Sequence, residues 1–327
     1  VETQNYIDDT GVQVAHVVVG FRELQHVSLD QVRQIADTTR FDYYCWDLYS
    51  RVTEWYDEDK AHLEIRGKTL HDLEHGGNDA AAIGAFIVDR IVRAHLKTMA
   101  RLNIGYDLLT YEGDILRLQF WAHAFDILKA QGAVFLQTEG KLKGCWVMRI
   151  EEDGAGSEDE VDGESREKVI VRSNGVVTYV GKDIANQFWK FGLLGRDFRY
   201  HRFAEQPGGR TLWATTSGES EGGAPAFGGA SRIFNVIDSR QMYLQALLSQ
   251  ALRTLGHPRE AENSVHFSYE MVALSHDTAR QLGYPDPGAD GKPFVEVSGR
   301  KGLGVKVDDL LDILTAKATG EVTKRNP

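Results

Sequence analysis

The pattern of apolar and polar positions predicts a hairpin that leads into a helix near the middle of the chain. Residues 169–171 are a short β-branched run, residues 173–175 read Ser-Asn-Gly, and residues 176–180 resume the apolar strand pattern. Turn-forming residues between two short strand-like runs are typical of a tight hairpin. The spacing that follows predicts a helix that begins near Gly181.

The same pattern divides the rest of the chain into an α/β part and a mainly helical part. Residues 1–21 read as a strand, a polar turn and a buried apolar run, as in strand-turn-helix units. Further helices are predicted over residues 30–37 (capped by Ser28 or Asp30), 41–56, 80–102, 117–131, 242–256 and 308–317 (capped by Asp308). Further strand-like runs lie at residues 133–136, 145–150, 232–241 and 266–272.

Two polar segments are predicted to be loops. Residues 151–167 are dominated by Asp, Glu, Gly and Ser and cannot bury apolar surface, so we expect a solvated loop between two strands of one sheet. Residues 206–231 are rich in Gly, Ser and Thr, and we expect a second loop there.

Composition and charge narrow the class of protein. The 327 residues carry a formal net charge of -11, so we expect no DNA partner and only local basic patches for RNA. No apolar run approaches the roughly 20 residues of a membrane span, and no signal-peptide pattern opens the chain, so we expect no membrane association. Cys45 and Cys145 lie far apart, which fits a reducing cytoplasm. A chain that opens on Val1 and enters patterned sequence at once is expected to be part of a longer protein.

Two surface motifs have both a structural and a functional interpretation. The helix predicted over residues 80–102 presents a basic stripe, which can follow a phosphate backbone but is more often a solvated face: Arg90, Arg93, Lys97 and Arg101. His71, Glu74 and His75 match the His-x-x-Glu-His zinc motif of inverted metalloproteases. Because Gly76 follows at once and ends the helix on the second ligand, no metal site is predicted.

Tyr179 and Asp183 are the first candidates for a binding site. In the predicted hairpin and helix, Tyr179 leaves the end of the second strand, and Asp183 falls in the first turn of the helix, where a carboxylate suits the positive end of the dipole. A phenol and a carboxylate four residues apart at such a junction can clamp a cationic ligand. A half-buried strand tyrosine and a helix-start acid explain the same residues without a ligand.

This segment resembles the arginyl-tRNA synthetases, which are class I aminoacyl-tRNA synthetases. Residues 171–185 are similar to the family segment Val-Arg-Ser-Asp-Gly-Thr-x-Thr-Tyr-x-x-Lys/Arg-Asp-Ile-Ala, in which the Tyr and the Asp hold the substrate arginine. The resemblance assigns that role to Tyr179 and Asp183. Residues 5–13 match Asn-Tyr-Ile-x-Asp-x-Gly-x-Gln of the same family, and residues 103–118 resemble its Tyr-Asp segment and the acidic turn after it.

Residues at the ends of later strands extend the resemblance. Asp238 and Gln241 follow an apolar strand, where open α/β sheets bind ligands, although Asp238 or Ser239 as a helix N-cap explains the pattern equally well. In the family this strand ends beside the aminoacyl-adenylate, and Gln241 matches a Gln that contacts arginine. Met271 and Val272 match the pair that flanks adenine. The resemblance therefore assigns Asp238, Met271 and Val272 to ATP binding.

Residues 294–302 resemble the second class I signature. They read Phe-Val-Glu-Val-Ser-Gly-Arg-Lys-Gly, a divergent form of Lys-Met-Ser-Lys-Ser, and the resemblance makes Ser298, Arg300 and Lys301 catalytic. Cationic side chains on such a loop can stabilise the charge that develops when the arginine carboxylate attacks the α-phosphate and pyrophosphate leaves. Glu296 and Gly299 stand where the signature has its two lysines, which is a departure from the family.

The resemblance covers residues 5–311 and implies an α/β fold with a Rossmann-like class I catalytic core. The implied core comprises residues 1–28 and 103–315, with a largely helical insertion at 29–102 and the start of a connection to an anticodon-binding domain at 316–327. The first class I signature, His-Ile-Gly-His, does not occur in this sequence. The family places it, with the first strand, before the position of Val1.

The activity implied by the resemblance is ATP-dependent activation of L-arginine and its transfer to tRNA(Arg). ATP is then a substrate, accompanied by Mg²⁺, and the partners are arginine, ATP and tRNA(Arg). A second hypothesis is a synthetase-derived module that binds arginine or tRNA without catalysis. The missing first signature favours this second hypothesis.

Overall fold

The computed structural model describes residues 1–149, 167–270, 273–281, 291–296 and 305–326. They belong to two compact units. The sheet unit comprises Val1–Ile7, Asp107–Glu205 and Gly209–Met271, and the helical unit comprises Asp8–Tyr106, Gln206–Gly208 and Val272–Pro327. Residues 8–28 pack with the helical unit, whereas the family resemblance implied that they belong to the catalytic core.

In chain order, the strands of the described residues are β1 (Gln4–Ile7), β2 (Leu108–Tyr111), β3 (Phe135–Leu136), β4 (Trp146–Arg149), β5 (Glu167–Val171), β6 (Arg199–Gln206), β7 (Arg210–Thr216), β8 (Ile233–Asp238), β9 (Ser264–Tyr269), β10 (Ala273–Leu274) and β11 (Val295–Glu296). The α-helices are α1 (Val12–Val19), α2 (Leu29–Thr38), α3 (Phe41–Glu58), α4 (His62–His75), α5 (Asp79–Arg101), α6 (Glu112–Arg117), α7 (Phe120–Ala130), α8 (Tyr179–Lys190), α9 (Met242–Thr254), α10 (Pro258–Glu262), α11 (His276–Gln281) and α12 (Val307–Arg325).

The sheet unit contains a four-stranded sheet with the strand order β1-β2-β7-β6. Strand β2 pairs in parallel with both β1 and β7, and its Leu108 and Leu109 are fully buried, as is usual for a central parallel strand. The prediction of a loop over residues 206–231 is wrong at its start, because β7 lies there. Gly208 and Gly209 have positive φ angles of 88° and 77° and make the turn between β6 and β7.

Two smaller sheets complete the described part of this unit. Strands β3, β4 and β5 form an antiparallel sheet, and β8 pairs in parallel with β9 from Ile233 and Ser264 to Asp238 and Tyr269. The helices α7, α8 and α9 pack on one another and share a core that includes Phe120, Ile184, Phe188, Trp189, Leu247 and Leu252. Full burial of each such side chain contributes about 1.5 to 3 kcal/mol to folding. This core fixes the position of α8, which carries two of the candidate residues.

The predicted helix over residues 117–131 begins later, as α7, and a separate short helix, α6, precedes it. Helix α6 ends at Arg117, and α7 begins at Phe120 after Gln119, which has a left-handed backbone with φ 58°. A left-handed residue cannot continue an α-helix, so the chain changes direction there.

The helical unit is built on a core shared by α1 to α5. Ser28 caps α2, since its hydroxyl accepts from the backbone of Gln31 while the Gln31 side chain accepts from the backbone of Ser28. Close helix contact depends on Gly20, because a Cβ atom there would lie 2.5 Å from Cγ of Leu48. None of the helices in the described ranges is long and apolar enough to cross a membrane.

Local contacts in α4 and α12 bear on two sequence interpretations in the helical unit. Helix α4 ends at His75, as the sequence predicted, and His75 Nδ1 lies 3.2 Å from the His71 carbonyl. Within the described ranges, no group of three or more His, Cys, Asp or Glu side chains is arranged to hold a metal ion. Asp308 does not cap α12, because its carboxylate accepts from Thr98 at 2.8 Å and from Arg101 at 2.5 Å.

Candidate functional site

The start of α8 carries Tyr179 and Asp183 on one helix face. The helix begins at Tyr179, two residues earlier than predicted, because the Thr178 backbone donates to Ile170 and its hydroxyl donates to Val169. The second strand was predicted over residues 176–180. In the structure, these described residues form a single β-bridge, between Val171 and Val177.

The earlier helix start corrects the electrostatic argument for Asp183. The carboxylate lies in the second turn of α8 instead of the first, so the helix dipole stabilises it less than predicted. However, Tyr179 and Asp183 are now separated by four residues of one helix, and side chains at that spacing are neighbours on the helix surface. The two side chains therefore lie on the same helix face, as the clamp hypothesis requires.

A buried ion pair anchors this end of α8. Lys182 Nζ lies 2.8 Å from Glu112 Oε1, and the two side chains are only 8% and 9% exposed. The Tyr6 hydroxyl donates to the second Glu112 oxygen at 3.0 Å. Because a charge-assisted contact between buried groups has a narrow range of good geometries, the pair fixes the residue directly before Asp183 to β1 and α6.

A second buried carboxylate lies two residues further along α6. Asp114 is 4% exposed, and its Oδ2 accepts from the Thr215 hydroxyl at 2.7 Å. Burial raises the pKa of Asp114 above its usual value, while the hydrogen bond from Thr215 and the nearby Arg117 act in the opposite direction. This contact joins α6 to β7.

The Lys168 side chain connects the starts of α8 and α9. Its Nζ lies 5.8 Å from the ring centroid of Tyr179 and 5.1 Å from that of Tyr243. Tyr179 is the first residue of α8, Tyr243 is the second residue of α9, and the two residues are 54% and 37% exposed. Since Gln241 immediately precedes α9, the predicted arginine-binding residues Tyr179 and Gln241 lie at neighbouring helix starts.

The carboxyl end of β8 carries Asp238 next to Gln241. Asp238 accepts from the Arg240 backbone at 2.8 Å and from its guanidinium at 2.9 and 2.7 Å. The bonds from Arg240 lower the pKa of Asp238 to about 2. Asp238 thus serves as the N-cap of the short 3₁₀ turn Ser239–Gln241, one of the two local roles that the sequence left open. Gln241 itself is exposed.

Farther along α8, the cationic side chain of Lys190 lies within electrostatic range of Asp183. Burial lowers the pKa of Lys190, and Asp183 and Glu2 act in the opposite direction. Lys190 Nζ lies 3.4 Å from Asn235 Oδ1, and Asn235 donates to Gln245 at 2.9 Å. These contacts tie the Asp183 face of α8 to β8 and α9.

Several predicted site residues lie outside the described ranges. They are Met271, Val272, Ser298, Arg300 and Lys301. Sequence reasoning did not assign site roles to Glu112, Lys182, Lys168 or Tyr243. The sequence did contain a signal for Glu112 and Lys182. Glu112 falls in residues 103–118 and Lys182 in residues 171–185, and both segments resemble the family.

Comparison with known proteins agrees with the predicted family. No protein-family model matches the chain. Curated arginine-tRNA ligases are similar over the whole chain: that of Deinococcus radiodurans is 33% identical over 328 residues, and that of Thermus thermophilus is 36% identical over 324 residues. The solved Thermus thermophilus arginyl-tRNA synthetase superposes with a TM-score of 0.73 at 30% sequence identity and covers 99% of this chain. Along its whole length, the chain is similar to arginyl-tRNA synthetases.

The likeness is to part of such an enzyme. The chain spans 47% of the Deinococcus and Thermus relatives and 47% of the solved Thermus chain, which is about half of their length. The mixed α/β fold of the described residues matches that of the arginyl-tRNA synthetase structure.

Proposed function

We propose that this chain is the arginine-recognising half of an enzyme that activates L-arginine with ATP and transfers it to tRNA(Arg). The observation that supports the proposal is the approach of two helix starts: Tyr179 and Asp183 lie four residues apart on α8, and Lys168 lies near the rings of Tyr179 and of Tyr243, which is two residues after Gln241. The similarity to arginine-tRNA ligases over the whole chain supports it.

Each of these residues has a chemical role toward a guanidinium. The Asp183 carboxylate accepts two parallel N–H bonds, which select a planar fork over a single ammonium. The exposed Tyr179 ring offers a π face to the cation. The Gln241 amide oxygen accepts a further bond. A charge-assisted hydrogen bond of this kind is worth about 1.5 to 3 kcal/mol.

The activation step is assigned to other residues in this proposal. The carboxylate of arginine attacks the α-phosphate of ATP, a P–O bond forms, and pyrophosphate leaves. Ser298, Arg300 and Lys301 would stabilise the charge on the phosphates, and Asp238, Met271 and Val272 would hold the nucleotide. Mg²⁺ would arrive with the ATP phosphates. The architecture proposed around them is a Rossmann-like class I core, residues 1–28 and 103–315, with a helical insertion at 29–102.

The test is arginine-dependent ATP-pyrophosphate exchange by the protein as its gene encodes it. Asp183→Asn keeps the shape of the side chain but loses its charge, and we expect the arginine KM to rise about tenfold to a hundredfold. Asp126→Asn is the matched control, since Asp126 is an exposed helix acid paired with Lys129 in the same unit. An arginine titration that is the same for Asp183→Asn and wild type would remove Asp183 from the site.

The same assay separates the second hypothesis from the first. An arginine- or tRNA-binding module without catalysis would bind arginine in calorimetry but exchange no pyrophosphate. The absence of a His-Ile-Gly-His tetrapeptide from this sequence is the observation that favours it. Exchange activity that depends on arginine would exclude it.

A further inference from the structure

The position of Lys168 is unusual for a lysine. Its ammonium lies against two exposed tyrosine rings, 5.8 Å from the centroid of Tyr179 and 5.1 Å from that of Tyr243. Within the described part of the chain, no carboxylate lies within ion-pair distance of it. The two rings are therefore the electrostatic partners that the structure gives this charge.

The helix starts on either side make this a poor place for an unassisted cation. Tyr179 and Tyr243 lie in the first turns of α8 and α9, and the first turn of a helix carries a partial positive charge. The negative faces of the aromatic rings offset that effect. The arrangement of two rings around one ammonium is thus a binding site for a cation, filled from within the chain.

One of these rings belongs to the arginine site. We propose that Lys168 is a resident cation of that site: it occupies the aromatic faces of Tyr179 and Tyr243 in the absence of substrate, and its charge opposes the entry of a cationic amino acid. This inference rests on the proposed function, because it takes Tyr179 as an arginine ligand. It adds Lys168 and Tyr243 as residues that set the affinity for arginine.

The size of the effect follows from simple electrostatics. Two unit charges about 6 Å apart at a water-exposed site repel one another enough to weaken binding by roughly threefold to tenfold. Salt reduces this repulsion, because the screening length falls from about 14 Å at 0.05 M to about 4 Å at 0.5 M ionic strength. A neutral ligand of the same shape is not repelled. A salt-dependent effect on arginine without an effect on a neutral ligand therefore distinguishes charge repulsion from loss of packing.

The experiment measures the dissociation constants of arginine and of citrulline, its uncharged isostere, by calorimetry on the protein as its gene encodes it. In Lys168→Met we expect arginine to bind threefold to tenfold more tightly at about 0.05 M salt, with the gain shrinking at about 0.5 M. Citrulline binding should change by less than about twofold. Lys168→Arg keeps the charge and should match wild type, and Lys168→Gln serves as a second neutral variant.

Lys129→Met is a matched control in the same unit. Its ammonium also lies over two rings, 4.6 Å from Phe125 and 5.9 Å from Trp146, but it has no place in the proposed site. We expect it to leave arginine binding unchanged.

Three outcomes would overturn the inference. Weaker arginine binding in Lys168→Met would mean that the ammonium contacts the substrate carboxylate. Unchanged binding would mean that it lies too far away to act, and an equal gain for citrulline would mean that it acts by its bulk. If wild type binds no arginine at all, the proposed function is wrong and this inference fails with it.

Discussion

Lys182 and Glu112 form an ion pair of 2.8 Å whose two side chains are less than one-tenth exposed, and this pair immediately precedes the candidate ligand Asp183. Burial of two charges costs several kcal/mol each, and their attraction offsets that cost only when the geometry is good. The pair therefore contributes little net stability but makes the position of α8 specific. If one charge is removed, the other stays buried without the opposite charge of this pair.

Lys182→Met should lower the free energy of unfolding by about 3 to 5 kcal/mol, because it leaves Glu112 buried without its cation. Adding Glu112→Gln should recover a substantial part of that loss, since the stranded charge is then gone and the Tyr6 hydroxyl keeps an acceptor. Urea unfolding of the two single variants and the double variant measures the coupling. Strictly additive losses would contradict a direct interaction between the two charges.

The contact between Asp238 and Arg240 predicts a change in the pKa of the Asp238 carboxyl group when Arg240 is replaced. The bonds from Arg240 lower its pKa to about 2, so Arg240→Met should return the pKa toward the usual value of about 4. NMR titration of the Asp238 carboxyl carbon in both proteins measures this shift. Because the folded pKa is depressed, the stabilisation by Arg240 is present above the unfolded pKa and is lost as the pH falls toward 2. Equal pKa values in the two proteins would contradict the Arg240 contact.

The helices of the helical unit were predictable because their signals are local. Ser28 and Gln31 form a capping box within four residues, and Gly76 ends α4 at the residue after His75. Neither feature depends on distant parts of the chain. The predicted bounds of α2, α3 and α5 accordingly agree with the structure within about two residues.

The errors arise where a distant partner decides the local structure. The residues around β7 are rich in turn formers, but Arg210–Thr216 contains no Gly, Pro, Asn, Asp or Ser, and β2 pairs with it at Leu108 and Leu109. The helix α8 begins early because Thr178 bonds to the carbonyls of Val169 and Ile170 across the hairpin. Propensity at residues 176–180 favours a strand, and the tertiary contacts of Thr178 override it.

The candidate site also contains residues that a local signal predicts and residues that depend on distant partners. Tyr179 and Asp183 were predicted from a short motif, because they lie only four residues apart in the sequence. The approach of Lys168 to Tyr243 joins β5 to α9, and no pattern along the sequence indicates it. The arrangement of such residues depends on the packing of α8 against α9, which only the fold supplies.

Two glycines in helices should respond to alanine in opposite directions. Gly20→Ala places a methyl group 2.5 Å from Leu48 Cγ, and we expect a loss of about 1 to 3 kcal/mol of unfolding free energy from overpacking. Gly67→Ala is the matched control in the interior of α4, where a Cβ meets no atom within 4 Å. It should gain up to about 1 kcal/mol from helix propensity. Urea unfolding measures both, and a stabilised Gly20→Ala would contradict the close contact with Leu48.

The buried Asp114 should make stability depend on pH in the direction opposite to Asp238. Burial raises its folded pKa, so the folded state holds the proton more tightly than the unfolded state does. The corresponding stability is present below the unfolded pKa of about 4 and is lost as the pH rises through the higher folded pKa. Asp114→Asn has no charge to bury and can still accept from Thr215. The variant should therefore gain stability relative to wild type between about pH 4 and pH 7, as measured by urea unfolding at both values, and a constant difference across that range would contradict the raised pKa.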